Sequence, residues 1–115
     1  MPSVIKTVTW DCSDALALAR FWAAALGSDV DEGLHAGQGI CRGRWLGRPQ
    51  HVVQPGAEPK TAKNRLHFDL RAPGDMAEEV ARLQALGATV IRRGDAITVM
   101  LDPEGNEFCV EPGPK

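Results

Sequence analysis

The sequence predicts an α+β fold built from two βαβββ modules in tandem. Two amphipathic helical patterns end in the same Ala-Leu-Gly tripeptide, at residues 25–27 and again at 85–87. Each pattern follows a short strand-like segment, and three more such segments follow the second helix. A supersecondary unit that recurs at a fixed interval indicates a duplicated structure. We therefore expect one domain of 115 residues, with module one at about residues 1–54 and module two at about 60–115.

The first module opens with a strand predicted over residues 4–10, in which apolar and polar side chains alternate. Thr7 and Thr9 fall on one face, and Trp10 falls on the other. An apolar helix follows directly, so we expect Trp10 to pack against it and the threonines to face away. Trp10 and Trp22 of that helix are therefore predicted to be core residues.

Both predicted helices have recognisable ends. The first begins at a Ser13 or Asp14 cap and ends at Gly27. The second begins at Asp75, and Glu78 three residues later completes a capping box. Gly87 supplies the left-handed residue that ends the second helix. The apolar stripe of this helix is predicted to comprise Met76, Val80, Leu83 and Leu86.

The second module repeats the alternation of the first. Its strands are predicted at residues 66–71, 89–92, 96–101 and 106–111. The apolar residues of the first of these strands share the face expected to meet the helix, namely Leu66, Phe68 and Leu70. The opposite face of the first and last strands then carries His67, Asp69, Arg71, Glu107, Cys109 and Glu111. Both modules thus place polar residues on the sheet face away from the helix.

That polar face has two interpretations. It could be a solvated surface, as in antiparallel sheets covered on one side only, or it could line a binding cavity. Residues 33–47 are rich in glycine and carry no clear strand pattern, and a linker is predicted at residues 55–63. A ferredoxin-like sandwich, built from similar elements with fewer strands, is the alternative fold.

Composition restricts the classes of function. Thirteen Lys and Arg residues against fifteen Asp and Glu residues give a formal net charge of −2, so no global charge attracts nucleic acid or an anionic membrane. Three cysteines without a Cys-x-x-Cys motif argue against a disulfide framework. The sequence shows neither a transmembrane run nor a signal-peptide core. We expect a reduced, cytoplasmic protein.

Three motifs at helix ends and in the last turn carry a family resemblance. They are Phe-Trp-x-x-x-Leu-Gly at residues 21–27, Leu-x-x-Leu-Gly-Ala at 83–88, and Asp-Pro-Glu-Gly-Asn-Glu-Phe at 102–108. Together they resemble the vicinal oxygen chelate superfamily of glyoxalase I, bleomycin-resistance proteins and extradiol dioxygenases, and residues 59–70 are similar to a glyoxalase-like subgroup. The resemblance implies that the modules form a curved, incomplete barrel whose polar faces line a cup. Related folds are often dimers, which implies a homodimer.

The resemblance also implies four ligand positions for a metal, one from the first and last strand of each module. In this sequence they are Thr7, Val52 or Gln54, His67 and Cys109. Only His67 is an expected ligand, and no carboxylate is among them. We therefore expect no stoichiometric metal. If one is bound, zinc held by His67, Cys109 and Gln54 fits best, because a thiolate favours zinc.

The sequence is best interpreted as a protein that binds a small organic molecule without a metal. The residues expected to line the cup are Thr7, Thr9, Trp45, Gln54, His67, Asp69 and Cys109. Trp45 suits an aromatic ligand. Six Lys and Arg residues against one Glu between residues 33 and 66 suit an anionic one.

Three other functions remain open. One is a metal-dependent lyase, isomerase or dioxygenase of the same superfamily. Another is a metal-free enzyme in which His67 and Asp69 perform acid–base catalysis, although residues two apart on a strand are separated by about 6.6 Å, too far for an assured direct hydrogen bond. The third is an interaction module that buries this face against another chain.

Overall fold

The computed structural model describes residues 1–5, 8–31, 39–42, 51–55 and 58–114. Its elements in chain order are β1 (Val8–Cys12), α1 (Ala15–Leu26), β2 (Asp29–Asp31), β3 (Gly39–Arg42), β4 (His51–Pro55), β5 (Phe68–Arg71), α2 (Met76–Ala85), β6 (Thr89–Arg92), β7 (Thr98–Leu101) and β8 (Glu107–Glu111). The predicted α+β class and the βαβββ order are confirmed. The chain separates into two compact units, Met1–Pro59 and Lys60–Lys115. In the described part of the chain, no helix has the length and apolarity needed to cross a membrane.

The two units have the same sheet topology. The strand order is β1-β4-β3-β2 in the first sheet and β5-β8-β7-β6 in the second. In each, the first and last strands of the module pair in parallel, and the other neighbours pair antiparallel. The identical order and pairing bear out the duplication that the repeated tripeptide predicted.

Helix α1 begins and ends where its sequence predicts. The Asp14 carboxylate accepts a hydrogen bond from the Ala17 N–H at 3.1 Å, and Gly27 adopts a left-handed φ of 68°. Trp22 is buried, and its ring stacks on Trp10 of β1 with the centroids 5.5 Å apart. The predicted contact between the first strand and its helix is confirmed, and Trp22 is a core residue, whereas Trp10 is only half-buried.

Helix α2 is capped at both ends as predicted. The Asp75 side chain accepts a hydrogen bond from the Glu78 N–H at 3.3 Å. This N–H lies in the first turn and has no carbonyl partner within the helix. At the other end Gly87 has a φ of 119°, and the Ala88 N–H donates to the Leu83 carbonyl at 3.0 Å. This is a Schellman motif. Within the predicted stripe, Val80 and Leu83 are buried, whereas Leu86 at the helix end is 38% exposed.

The first strand does not include Val4 and Ile5, although both were predicted to belong to it. The two side chains are exposed, at 73% and 72%. Side chains with high β propensity form a strand only where they have a partner to pair with and a surface to cover. Strands β7 and β8 likewise start one or two residues after their predicted limits.

Leu66 was predicted to face α2, and this is wrong. Strand β5 begins at Phe68, and Leu66 is 77% exposed. Continued backward, the parallel register of β5 and β8 would pair Leu66 with Asn106. Asn106 lies in the turn before β8, where its N–H donates to the Asp102 side chain. The ladder therefore ends before it reaches Leu66.

Candidate ligand site of the second module

Four residues form a row across the face of the second sheet opposite α2. The register pairs Asp69 on β5 with Cys109 on β8, Cys109 with Val99 on β7, and Val99 with Arg92 on β6. Paired residues share a face of the sheet, so these side chains stand on the same side. Phe108, next to Cys109 in sequence, points the other way and is fully buried.

Arg92 reaches this row because of a β-bulge. Val90 pairs with Met100, but Arg92 pairs with Val99, so the register shifts between the two β6 residues. Without the extra residue, Arg92 would lie on the same face as Val90, toward the helix. The bulge instead turns the guanidinium group toward the row that contains Cys109.

His67, Asp69 and Cys109 form a cluster at one end of the row. His67 Nδ1 lies 3.0 Å from Asp69 Oδ1, and the ligand atoms of all three residues lie within 4.8 Å of one another. The expected separation of about 6.6 Å along a strand did not predict this contact. His67 precedes β5, and its ring leans toward Asp69 rather than standing upright on the pleat.

The environment of Cys109 keeps its thiol protonated. Burial raises the pKa of Cys109, and the charge of Asp69 and the hydrogen bond to it raise the pKa further. Arg92 acts in the opposite direction but does not outweigh these effects. A thiol in this state is a weak nucleophile. In the metal-free protein, Cys109 is therefore a buried, protonated thiol that contributes to the apolar surface.

A pocket of about 350 Å³ opens beside this cluster, within the second unit. Its polar and charged lining includes Lys63, His67 and Arg92, and its apolar lining includes Ile91 and Val99. The remaining lining residues are Glu107 and Cys109. The charge of Glu107 is paired with Lys60, so the two cationic side chains, Lys63 and Arg92, favour a small molecule that carries negative charge.

Glu107 holds the segment that brings Lys63 and His67 to the pocket. Its carboxylate accepts from Lys60 Nζ and from the Asn64 N–H, each at 2.8 Å. Desolvation alone would raise the pKa of Glu107, but these hydrogen bonds and the charge of Lys60 lower it to about 2. We call this contact the Glu107 clasp. Glu107 is thereby committed to a structural role and is not free to act as a substitute metal ligand.

The Glu107 clasp predicts acid-sensitive stability. Glu107 has a lower pKa in the folded protein than the ordinary value of 4.5, so the unfolded chain takes up the proton first. The clasp therefore contributes its full stability above about pH 5, and this contribution is lost as the pH falls toward 2. We expect Glu107→Gln to remove on the order of 2 kcal/mol at neutral pH, as measured by urea unfolding.

The matched control is Glu58→Gln, since Glu58 is exposed. Its unfolding free energy should follow that of the wild type at every pH, whereas the difference between wild type and Glu107→Gln should shrink as the pH falls. A Glu107→Gln variant with the stability and pH profile of the wild type would show that the clasp contributes nothing.

The residues predicted for the cup are distributed unevenly. His67, Asp69 and Cys109 meet in the second unit. Thr9 is exposed on β1 of the first unit. Thr7 and Trp45 lie outside the described residues. The participation of Thr7, Thr9 and Trp45 in a shared cup stays a prediction.

The register of the first sheet resolves the choice between Val52 and Gln54. Thr9 pairs with Val52, as Asp69 pairs with Cys109 in the second sheet, whereas Gln54 pairs with Asp11. Val52 therefore holds the position in the first module that corresponds to Cys109 in the second. The role of Gln54 in ligand or metal binding stays a prediction.

Five of the seven pocket-lining residues were not among those predicted for the cup, namely Lys63, Ile91, Arg92, Val99 and Glu107. Val99 could have been predicted, because it pairs with Cys109 across the antiparallel strands β7 and β8 and therefore shares its face of the sheet. Arg92 could not, because the bulge reverses the face that period-two alternation gives it.

The family that the chain matches agrees with the resemblance seen in its sequence motifs. Residues 7–111 match the glyoxalase-like domain family. No curated protein matches the chain.

Solved structures share the fold at low sequence identity. A glyoxalase/bleomycin resistance protein/dioxygenase family enzyme from Burkholderia phytofirmans PsJN matches with a TM-score of 0.75 and 17% identity, over 94% of this chain and 97% of that one. The fosfomycin resistance protein of Listeria monocytogenes matches with a TM-score of 0.72 and 13% identity, over 99% of this chain and 94% of that one. The trypanothione-dependent glyoxalase I of Leishmania major matches with a TM-score of 0.70 and 12% identity, over 96% of this chain and 87% of that one.

Proposed function

The chain belongs to the glyoxalase-like domain family, and we propose that it binds a small anionic organic molecule, without a metal, in the second-module pocket. The observation that carries this proposal is the placement of Arg92 and Lys63 at the rim of an apolar pocket of about 350 Å³. Guanidinium and ammonium groups form charge-assisted hydrogen bonds with carboxylates and phosphates. Ile91 and Val99 supply the apolar surface that buries the rest of the ligand.

A ligand screen by two-dimensional NMR tests the proposal. The probes are a library of small carboxylates, phosphonates, neutral amides and amines, added singly to the ¹⁵N-labelled protein. We expect the hits to be mainly anions and to shift the backbone amides of Arg92, Val99 and Cys109. Hits without a preference for anions, or shifts confined to other residues, would contradict it.

The partner and location follow the same reasoning. With a small molecule as the ligand, no nucleic acid or membrane partner is proposed. A homodimer and a cytoplasmic location stay predictions, which gel filtration with light scattering and cell fractionation would test.

A zinc site is the second candidate, because one cluster offers the donors. His67, Asp69 and Cys109 each present a ligand atom, and these atoms lie within 4.8 Å of one another. One nitrogen, one oxygen and one sulfur donor with an open fourth position fit zinc. Asp69 adds the carboxylate that the sequence analysis did not expect among the ligands. Bound zinc would supply a Lewis acid and an activated water, which is the basis for the metal-dependent lyase, isomerase or dioxygenase alternative.

We expect the protein, purified without chelators or a metal-affinity tag, to carry no stoichiometric transition metal by elemental analysis. Zinc requires the Cys109 thiolate, and burial and Asp69 raise the pKa of this thiol. Asp69 would also have to give up its hydrogen bond to His67. About one zinc, nickel or iron per chain that disappears in His67→Ala would contradict this expectation and make the metal-dependent enzyme the leading candidate.

A further inference from the structure

We propose that the ligand carries a hydrogen-bond donor, such as a hydroxyl group, at the end opposite its anionic group. The donor is bound by Nε2 of His67 and the anion by Arg92, with an apolar segment between them. This inference rests on the proposed function and specifies the class of ligand that the same pocket binds.

The two polar ends of the pocket are separated by the width of the sheet. Asp69, Cys109, Val99 and Arg92 occupy successive strands of one row. Neighbouring strands are about 4.8 Å apart, so the backbones of Asp69 and Arg92 are roughly 14 Å apart. Both His67, which is bonded to Asp69, and Arg92 line the same pocket. Because the side chains extend from both backbones into the pocket, a ligand that reaches both carries its two polar groups at separate ends, at a spacing shorter than this distance.

The hydrogen bond to Asp69 determines what His67 can offer a ligand. A carboxylate only accepts hydrogen bonds, so the contact of 3.0 Å between Nδ1 and Asp69 places the proton of the neutral ring on Nδ1. The other ring nitrogen, Nε2, is then an acceptor. The His67 end of the pocket thus selects a donor.

The middle of the pocket is apolar. Val99 and Cys109 lie between the two ends of the row, and the half-exposed side chain of Ile91 stands next to them. A phenyl ring or a short alkyl chain covers such a surface without leaving a buried polar group unpaired. The ligand class is therefore a hydroxy acid with an apolar segment between its two polar groups.

Matched aromatic acids test this inference by titration calorimetry or NMR. The probes are 3-(4-hydroxyphenyl)propanoate, 3-phenylpropanoate and 3-(4-methoxyphenyl)propanoate, together with the corresponding phenylacetates and benzoates. We expect the hydroxyl compound of the fitting length to bind about fivefold more tightly than its two partners, the gain of one hydrogen bond. The methoxy compound gains nothing because it can only accept.

Variants separate the inference from the proposed function. His67→Phe keeps a flat ring but lacks Nε2. In this variant the ratio of the affinity for the hydroxyl compound to that for its two partners should fall to about one. Arg92→Gln should weaken all three acids, whereas Arg93→Gln, an exposed neighbour outside the pocket lining, should not. If the acids bind through Arg92 without a hydroxyl preference at any length, this inference fails and the proposed function stands. If none of the acids binds, or binding does not depend on Arg92, both fail.

Discussion

Phe108→Ala is expected to lower the free energy of unfolding by about 4 kcal/mol. Phe108 is 1% exposed on β8, on the face of the sheet that meets α2. Truncation removes the apolar contacts of the ring and leaves a cavity that the strand, held on both sides by β5 and β7, cannot easily fill. Urea unfolding followed by circular dichroism measures the loss.

Leu66→Ala is the control for Phe108→Ala. Leu66 was predicted to share the apolar face, but it is 77% exposed, so its truncation should change stability by less than about 0.5 kcal/mol. Comparable losses in the two variants would contradict the assignment of Phe108 to the core and of Leu66 to the surface.

Asp102→Ala is expected to cost about 3 kcal/mol, although it lies in a turn. Asp102 is 3% exposed, and its carboxylate accepts from the N–H groups of Glu104 and Asn106, each at 2.9 Å. The Asn106 side-chain amide also donates to it, at 2.9 Å, and Asn106 in turn accepts from the Asn64 side chain at 3.4 Å. Removing the carboxylate leaves several partly buried donors without an acceptor.

Asp102→Asn provides the graded comparison for this turn. One amide oxygen can still accept from the two backbone N–H groups, so the expected cost is about half as large. Because the turn also contacts Asn64, both variants should shift the NMR signals of residues 60–67 in proportion to their instability. An Asp102→Ala variant within about 0.5 kcal/mol of the wild type would contradict the account of this turn.

The fold could be predicted from the sequence because its signals are local or repeated. Asp14, Gly27, Asp75 and Gly87 mark the helix ends through backbone chemistry that involves only neighbouring residues. The repeated Ala-Leu-Gly ending indicated that both modules would have the same topology. The start of β5 was predicted less accurately, because it depends on where its partner strand β8 begins.

The site was less predictable because its contacts depend on three dimensions. The clasp between Lys60 and Glu107 joins residues that are 47 positions apart. Helix and strand periodicity relate only residues close in the sequence, so they could not predict this contact. Arg92 reaches the pocket only because a bulge reverses its face. The contact of His67 with Asp69 depends on side-chain direction, which the strand period does not determine.

We propose that Arg92 and Lys63 make the second-module pocket a site for a small anion. The most direct measurement compares the affinity of the tightest acid from the NMR screen with that of its uncharged primary amide. We predict that the wild type binds the acid at least about tenfold more tightly and that Arg92→Gln, but not Arg93→Gln, removes most of this difference. Equal affinity for the acid and the amide in the wild type, or an equal loss in both variants, would contradict the claim.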